Sequence, residues 1–135
     1  MNLPRSRVAL VIRTDFSDQR TWEAIAAAII QPTEEDFRAH VEFVDDNAYR
    51  GLAVEQWLDL VPDGDTRPFF MVVDDVTIRE SDNPILVVGL RRDRGHLFRA
   101  IPSAVQSIEN NLSISNMDFA EFANAVDHNG VFRGF

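Results

Sequence analysis

Phe69-Phe70-Met71-Val72-Val73-Asp74-Asp75 is the most hydrophobic run of the chain, and it stops abruptly at two carboxylates. A short, uninterrupted and partly β-branched run of this kind reads as a strand buried on both faces. The residues after it decide the topology. Nine residues, Val76 to Pro84, separate Asp75 from Ile85, and they end in the turn material Ser81-Asp82-Asn83-Pro84. A parallel crossover needs about a dozen residues or more, usually with a helix. Ile85–Leu90 is therefore expected to run antiparallel to Phe69–Asp75. The polar loop Arg91-Arg92-Asp93-Arg94-Gly95 leads in the same manner into a strand over His96–Ile101.

Upstream, Val8–Ile12 reads as a strand ended by Arg13-Thr14-Asp15, and Ser17 or Asp18 caps the helix that follows. Trp22, Ile25, Ala26, Ile29 and Ile30 share one face of that helix, and Pro32 stops it. Thr33-Glu34-Glu35-Asp36 has the pattern of a second helix start, with Phe37 as its buried residue. Val41–Val44 is a strand ended by Asp45-Asp46, and a short helix over Val54–Leu60 turns Val54, Trp57 and Leu58 inward, with Val61 just after it. Downstream, Ser103 and Gln106 match a capping box ahead of Val105, Ile108 and Leu112. A last helix collects Phe119, Phe122, Ala123 and Val126, capped by Ser115 with Asp118 or by Asn116. The expected fold is α/β, with residues 1–135 as one domain. A single mixed sheet of about five strands combines a right-handed β-α-β-α-β front half, an antiparallel meander and two C-terminal helices.

The chain has 22 acids against 13 bases, a net charge of −9, and no cysteine. Every base is an arginine, which removes lysine Schiff-base chemistry along with thiolate catalysis and disulfides. An acidic surface repels phosphate backbones, so no nucleic-acid partner is expected, and a basic protein partner fits the charge better. No apolar run approaches the roughly 20 residues of a membrane helix, and no membrane partner is expected. Only five apolar residues precede Arg13 after the arginine-bearing start, too few for a signal peptide, which makes a cytoplasmic location the expectation.

Asp15, Asp45, Asp46, Asp74 and Asp75 all follow apolar strands. If those strands are parallel neighbours, their carboxylates gather at one sheet edge, where oxygen ligands suit Mg²⁺; Asp15, Asp45, Asp74 and Asp75 are the candidate metal ligands of a small Mg²⁺-dependent enzyme. The same acids resemble in places the response-regulator receiver domains. Those domains, however, need a lysine where this chain has Ile101, and helices between strands three, four and five, for which there is no room. His40, His96 and His128 share no ligand spacing. The polar-interrupted stretch Ser107–Phe119 reads either as a helix-loop-helix corner held by side-chain bonds or as a polar recess. In the second case Glu109, Asn110, Asn111 and Asn116, with Arg13, Asp15 or Arg99, are the candidate ligand-binding residues for a small molecule. Arg91-Arg92-Asp93-Arg94 is the one dense positive spot, and Phe132 and Phe135 are either core or interface.

Leu10-Val11-Ile12-Arg13-Thr14-Asp15-Phe16, Val41–Asp46, Glu109–Ser113, Asn116-Met117-Asp118-Phe119 and the ending Gly130-Val131-Phe132-Arg133-Gly134-Phe135 together resemble a family of small acidic bacterial proteins, mostly from actinomycetes, grouped as a domain of unknown function. The resemblance implies a cytosolic, single-domain protein, and it brings no catalytic residue and no cofactor. The leading functional expectation is a non-enzymatic protein-interaction or regulatory module, of the immunity type, that covers a basic partner.

Overall fold

A computed structural model describes residues 2–135. Six strands form one mixed sheet in the order β2-β1-β3-β4-β5-β6. They are β1 Ala9–Arg13, β2 Val41–Val44, β3 Phe69–Val73, β4 Ile85–Gly89, β5 Leu97–Ala100 and β6 Val131–Phe132. β1 pairs in parallel with β2 and β3, β4 is antiparallel to β3 and β5, and β6 returns parallel to β5. The α/β class and the mixed sheet agree with the sequence reading. The strand count does not, because Val131–Phe132 adds a sixth strand. Two residues give no alternation to recognise, and only the partner strand makes them extended.

Side-chain alternation divides the sheet into two apolar layers. Val11, Phe69, Met71, Val73, Val87 and Phe98 face α1 (Gln19–Ile30), α4 (Val105–Ser113) and α5 (Phe119–Ala123). Leu10, Ile12, Phe70, Val72, Leu86 and Val88 face α2 (Val54–Asp59), together with Tyr49 and Leu3. All five residues of β3 are buried, as its unbroken apolar run requires. The connections from β1 to β2 and from β5 to β6 both cross the α1 face but step in opposite directions along the sheet, so they are mirror images in hand. The β2-to-β3 connection, over the α2 face, shares the hand of the first. Right-handed crossovers are a strong rule. The opposite hand of the last connection is confined to a two-residue strand at the sheet edge.

Several local expectations are corrected. The link between β3 and β4 is expected to have no room for a helix, but α3 (Asp75–Arg79) fits one short helix into it without making the strands parallel. Thr33–Asp36 does not start a helix. The Thr33 hydroxyl accepts the Phe37 amide, Asp36 takes a left-handed φ of 65°, and Phe37 is 59% exposed while Ala39 goes inside. A left-handed residue there ends helical propagation at its first turn. Ile30 is also exposed, the helix having run past its buried stripe. Ser103 makes no capping bond: Pro102–Ala104 is a 3-10 turn, and α4 starts at Val105. Proline's preset φ favours that tight first turn. Asp18 is the cap of α1, bonding both the amide and the hydroxyl of Thr21. At α5 the Glu121 carboxylate reaches back to the Asp118 amide.

The Arg91–Asp93 turn folds tightly onto the end of β4, where a Cβ on Gly89 would collide with the Asp93 carbonyl. No helix of the described residues is long and apolar enough to cross a membrane. Phe132 is fully buried. Its ring meets Phe122 edge-on at 5.2 Å and Phe135 at 5.0 Å, although Phe135 itself is 78% exposed. Phe132→Ala removes this ring from the α1-face core and is expected to cost about 3–5 kcal/mol, read as a lower urea midpoint. Phe135→Ala is expected to cost less than half as much.

Candidate functional site

After β1 the chain steps to one side of that strand to make β2, and it then returns across to make β3 on the other side. The carboxyl ends of β1 and β3 therefore flank a topological switch point, the place where open α/β sheets leave a crevice for ligands. Thr14 and Asp15 leave β1 there, and Asp74 and Asp75 leave β3. Backbone bonds hold the rim: Thr14 N–H donates to Val73 C=O at 3.0 Å, and Gly51 N–H donates to Thr14 C=O at 3.1 Å. A recess of about 600 Å³ opens at this point on the α2 face. Trp57, Leu52, Leu86 and Leu97 supply apolar lining, Asp15, Glu55 and Asp75 supply carboxylates, and the Asp74–Arg99 pair lies among them. It exists because α2 is short and covers only part of its face. Leu97, on the uncovered part, is 46% exposed.

Asp74 is the most heavily bonded group of the site. Its Oδ1 accepts from the Thr77 amide at 3.1 Å, the Thr77 hydroxyl at 2.9 Å and Arg99 Nη1 at 2.9 Å, while Oδ2 accepts from Arg99 Nη2 at 2.8 Å. The fully buried Thr77 hydroxyl also contacts the Pro84 carbonyl at 2.9 Å, and Arg99 Nη1 donates to that carbonyl at 3.1 Å. Burial pushes the Asp74 carboxyl up. The Arg99 bonds and charge and the Thr77 bonds outweigh it, holding the carboxyl below the usual range.

Arg13 lies on the opposite face of the sheet, at 3% exposure. Its Nη1 donates to Gln19 Oε1 at 2.8 Å and to Asp45 at 3.3 Å, and its Nε donates to the Asp15 carbonyl at 3.2 Å. The guanidinium lies over Phe16 at 4.5 Å and near the Trp22 ring at 5.3 Å. It clasps the ends of β1 and β2 to the start of α1, and the structure does not bring it together with Arg99. Asp15 turns its carboxylate to the amide and hydroxyl of Ser17. Asp75 is exposed and pairs at 3.6 Å with Arg79.

Asp15, Asp74 and Asp75 share the recess, but the strand-end acids pair with separate cations: Asp45 with Arg13, Asp74 with Arg99 and Asp75 with Arg79. Among the described residues no three His, Asp or Glu side chains come together as a metal-binding group would require. Glu109 is buried in α4 and accepts from the His40 amide and, at 2.9 Å, from Ser113. Asn111 donates to the Ser107 carbonyl at 2.8 Å and accepts from Asn116 at 2.8 Å. Asn110 is exposed. This cluster forms the corner after α4, on the α1 face and away from Arg99. In the Arg91–Gly95 loop, Arg91 and Arg94 donate to the carbonyls of Thr66 and Leu58 and so fasten the loop, leaving Arg92 exposed. His40, His96 and His128 are exposed on separate segments.

The sequence reading missed Trp57, Glu55, Leu86 and Leu97 as site residues. Leu97 and Arg99 alternate with Phe98 and Ala100, so a shared face was legible; that no helix covers it was not.

A group whose folded-state acidity is stronger than its unfolded one adds stability above about pH 4 and loses it as the pH falls through the folded value. Asp74→Asn is expected to lower urea stability at pH 7 by about 1–3 kcal/mol, less than the roughly 3–5 kcal/mol of a fully buried broken pair. The gap to wild type should narrow below about pH 4. A gap that stays constant down to pH 3 would show that the Asp74 charge plays no part.

No curated protein matches the chain. A family model described as "Domain of unknown function (DUF6924)" matches residues 8–135. Spanning nearly the whole sequence, that match makes the chain a member of this family.

Proposed function

We propose that the chain is a non-enzymatic binding module whose switch-point recess takes a basic, partly apolar group of a partner protein. The observation that carries this reading is the combination of an apolar floor with carboxylates that are not committed to a cation. Asp15 and Glu55 form no ion pair among the described residues, and the Asp75–Arg79 contact is long and solvent-exposed. An arginine or lysine side chain has the matching form, an aliphatic stem ending in a charge. The net charge of −9 draws such a group in from a distance.

Catalysis fits the same recess less well. Asp74, the least exposed of its carboxylates, is held in its charged form by four donated bonds, which leaves it a weak base. Thr77 and Arg99 are engaged with it and with Pro84. A small amphipathic amine is the second reading, supported by a volume within the usual range of small-ligand sites.

Butylguanidinium, an arginine side chain without its peptide, is the direct probe. In a ¹⁵N NMR titration it should shift the amides of Gly51–Glu55, Leu86 and Leu97, while butyrate should not. Asp15→Asn combined with Glu55→Gln should weaken binding about 5–30-fold, at up to about 1 kcal/mol for each exposed pair. About 0.5 M salt should weaken it as well. Equal shifts with butyrate, or none with butylguanidinium, would sink the reading.

A further inference from the structure

We infer that the occupant of the switch-point recess carries, besides its positive charge, an uncharged carbonyl oxygen that accepts from the Trp57 indole N–H. This deepens the reading above and rests on it. Trp57 lines the recess and is 2% exposed. Its Nε1 is the one buried side-chain nitrogen or oxygen among the described residues that has no hydrogen-bond partner. Arg13, Thr77 and Glu109, comparably buried, all have theirs. The Trp57 ring meets Phe70 edge-on at 6.3 Å instead. A buried donor left unpaired forfeits the bond it made to water in the unfolded chain, so such groups are rare and call for a reason.

The unpaired donor and the carboxylates lie at different depths. Glu55 and Asp75 are exposed and Asp15 is half-buried, while the indole nitrogen is covered. The complementary occupant has an acceptor at its inner end and a cation at its outer end, and a small turn of the ring brings the nitrogen to it. A carboxylate acceptor would meet the repulsion of three acids, with the Arg99 charge already answered by Asp74; an amide carbonyl meets none. A basic residue of a partner, taken up with a neighbouring amide carbonyl of its own chain, has both groups. A bare alkylamine has only the charge.

γ-Guanidinobutyramide, which adds an amide carbonyl to the guanidinium and its stem, tests this against butylguanidinium. The amide is expected to bind about 5–30-fold tighter, the worth of one buried hydrogen bond. It should move the Trp57 indole proton downfield, while the indole proton of Trp22, the chain's other tryptophan and on the opposite face of the sheet, stays in place. Trp57→Phe removes the N–H and should bring the two affinities together. Where that variant does not fold, the indole proton of the wild type decides. Equal affinities in the wild type, or a Trp57 indole proton unmoved at saturating amide, would overturn the inference while leaving the binding reading intact. A preference that survives Trp57→Phe, or tighter binding of γ-guanidinobutyrate than of the amide, would overturn it too. Failure of butylguanidinium itself to bind would remove the reading beneath it.

Discussion

The Asp74 carboxylate has three structural duties. It ends β3, caps α3 through the Thr77 amide, and holds Arg99 of β5, two strands away, with both its oxygens. Pro84, just before β4, closes the circuit by accepting from Arg99, with the Thr77 hydroxyl in contact beside it. The carboxyl ends of β3 and β5 and the start of β4 are thereby locked in one plane of polar contacts, at the edge where the apolar layers stop. Nearly every donor is matched, which a low-dielectric edge demands. The recess beside this knot depends on it, since its wall is the paired Arg99.

How much of this was legible follows from what each residue's surroundings are. β3, β4 and the direction between them could be read because apolar runs and a nine-residue link are local facts. β6 could not, because Val131–Phe132 is a strand only in the presence of Arg99 and Ala100. Phe37 looked like a core residue because acids in a first turn are the ordinary sign of a helix; the left-handed Asp36 defeats that sign. Arg13 looked like the polar end of a strand. It is instead the strand's last residue, turned inward onto two aromatic rings, and nothing in its neighbours' spacing marks that turn.

The candidate site was half legible for the same reason. Asp15, Asp74, Asp75 and Arg99 stand out as charges at strand ends, and the recess includes all four. Trp57 and Leu86 read as core, and they are buried. Their second role as a floor comes from a helix of six residues that leaves part of its face bare. Absence of cover is a property of the whole assembly and leaves no local pattern. The Glu109–Asn116 stretch shows the converse: its amides and carboxylate suit a ligand by type, yet Glu109, Asn111 and Asn116 make bonds within the corner or to the His40 amide.

The mirror-image crossover into β6 bears on the order in which the molecule is completed. During vectorial synthesis the other five strands and α1 to α5 emerge before Val131 and Phe132. Without them the Phe122 ring has an open side, and the outer edge of β5 has unpaired backbone groups. A chain with β6 undocked pairs an exposed aromatic ring with an open strand edge, two features that promote association between chains. The last two residues of the sheet thus act as a seal over the β5 edge and the Phe122 ring.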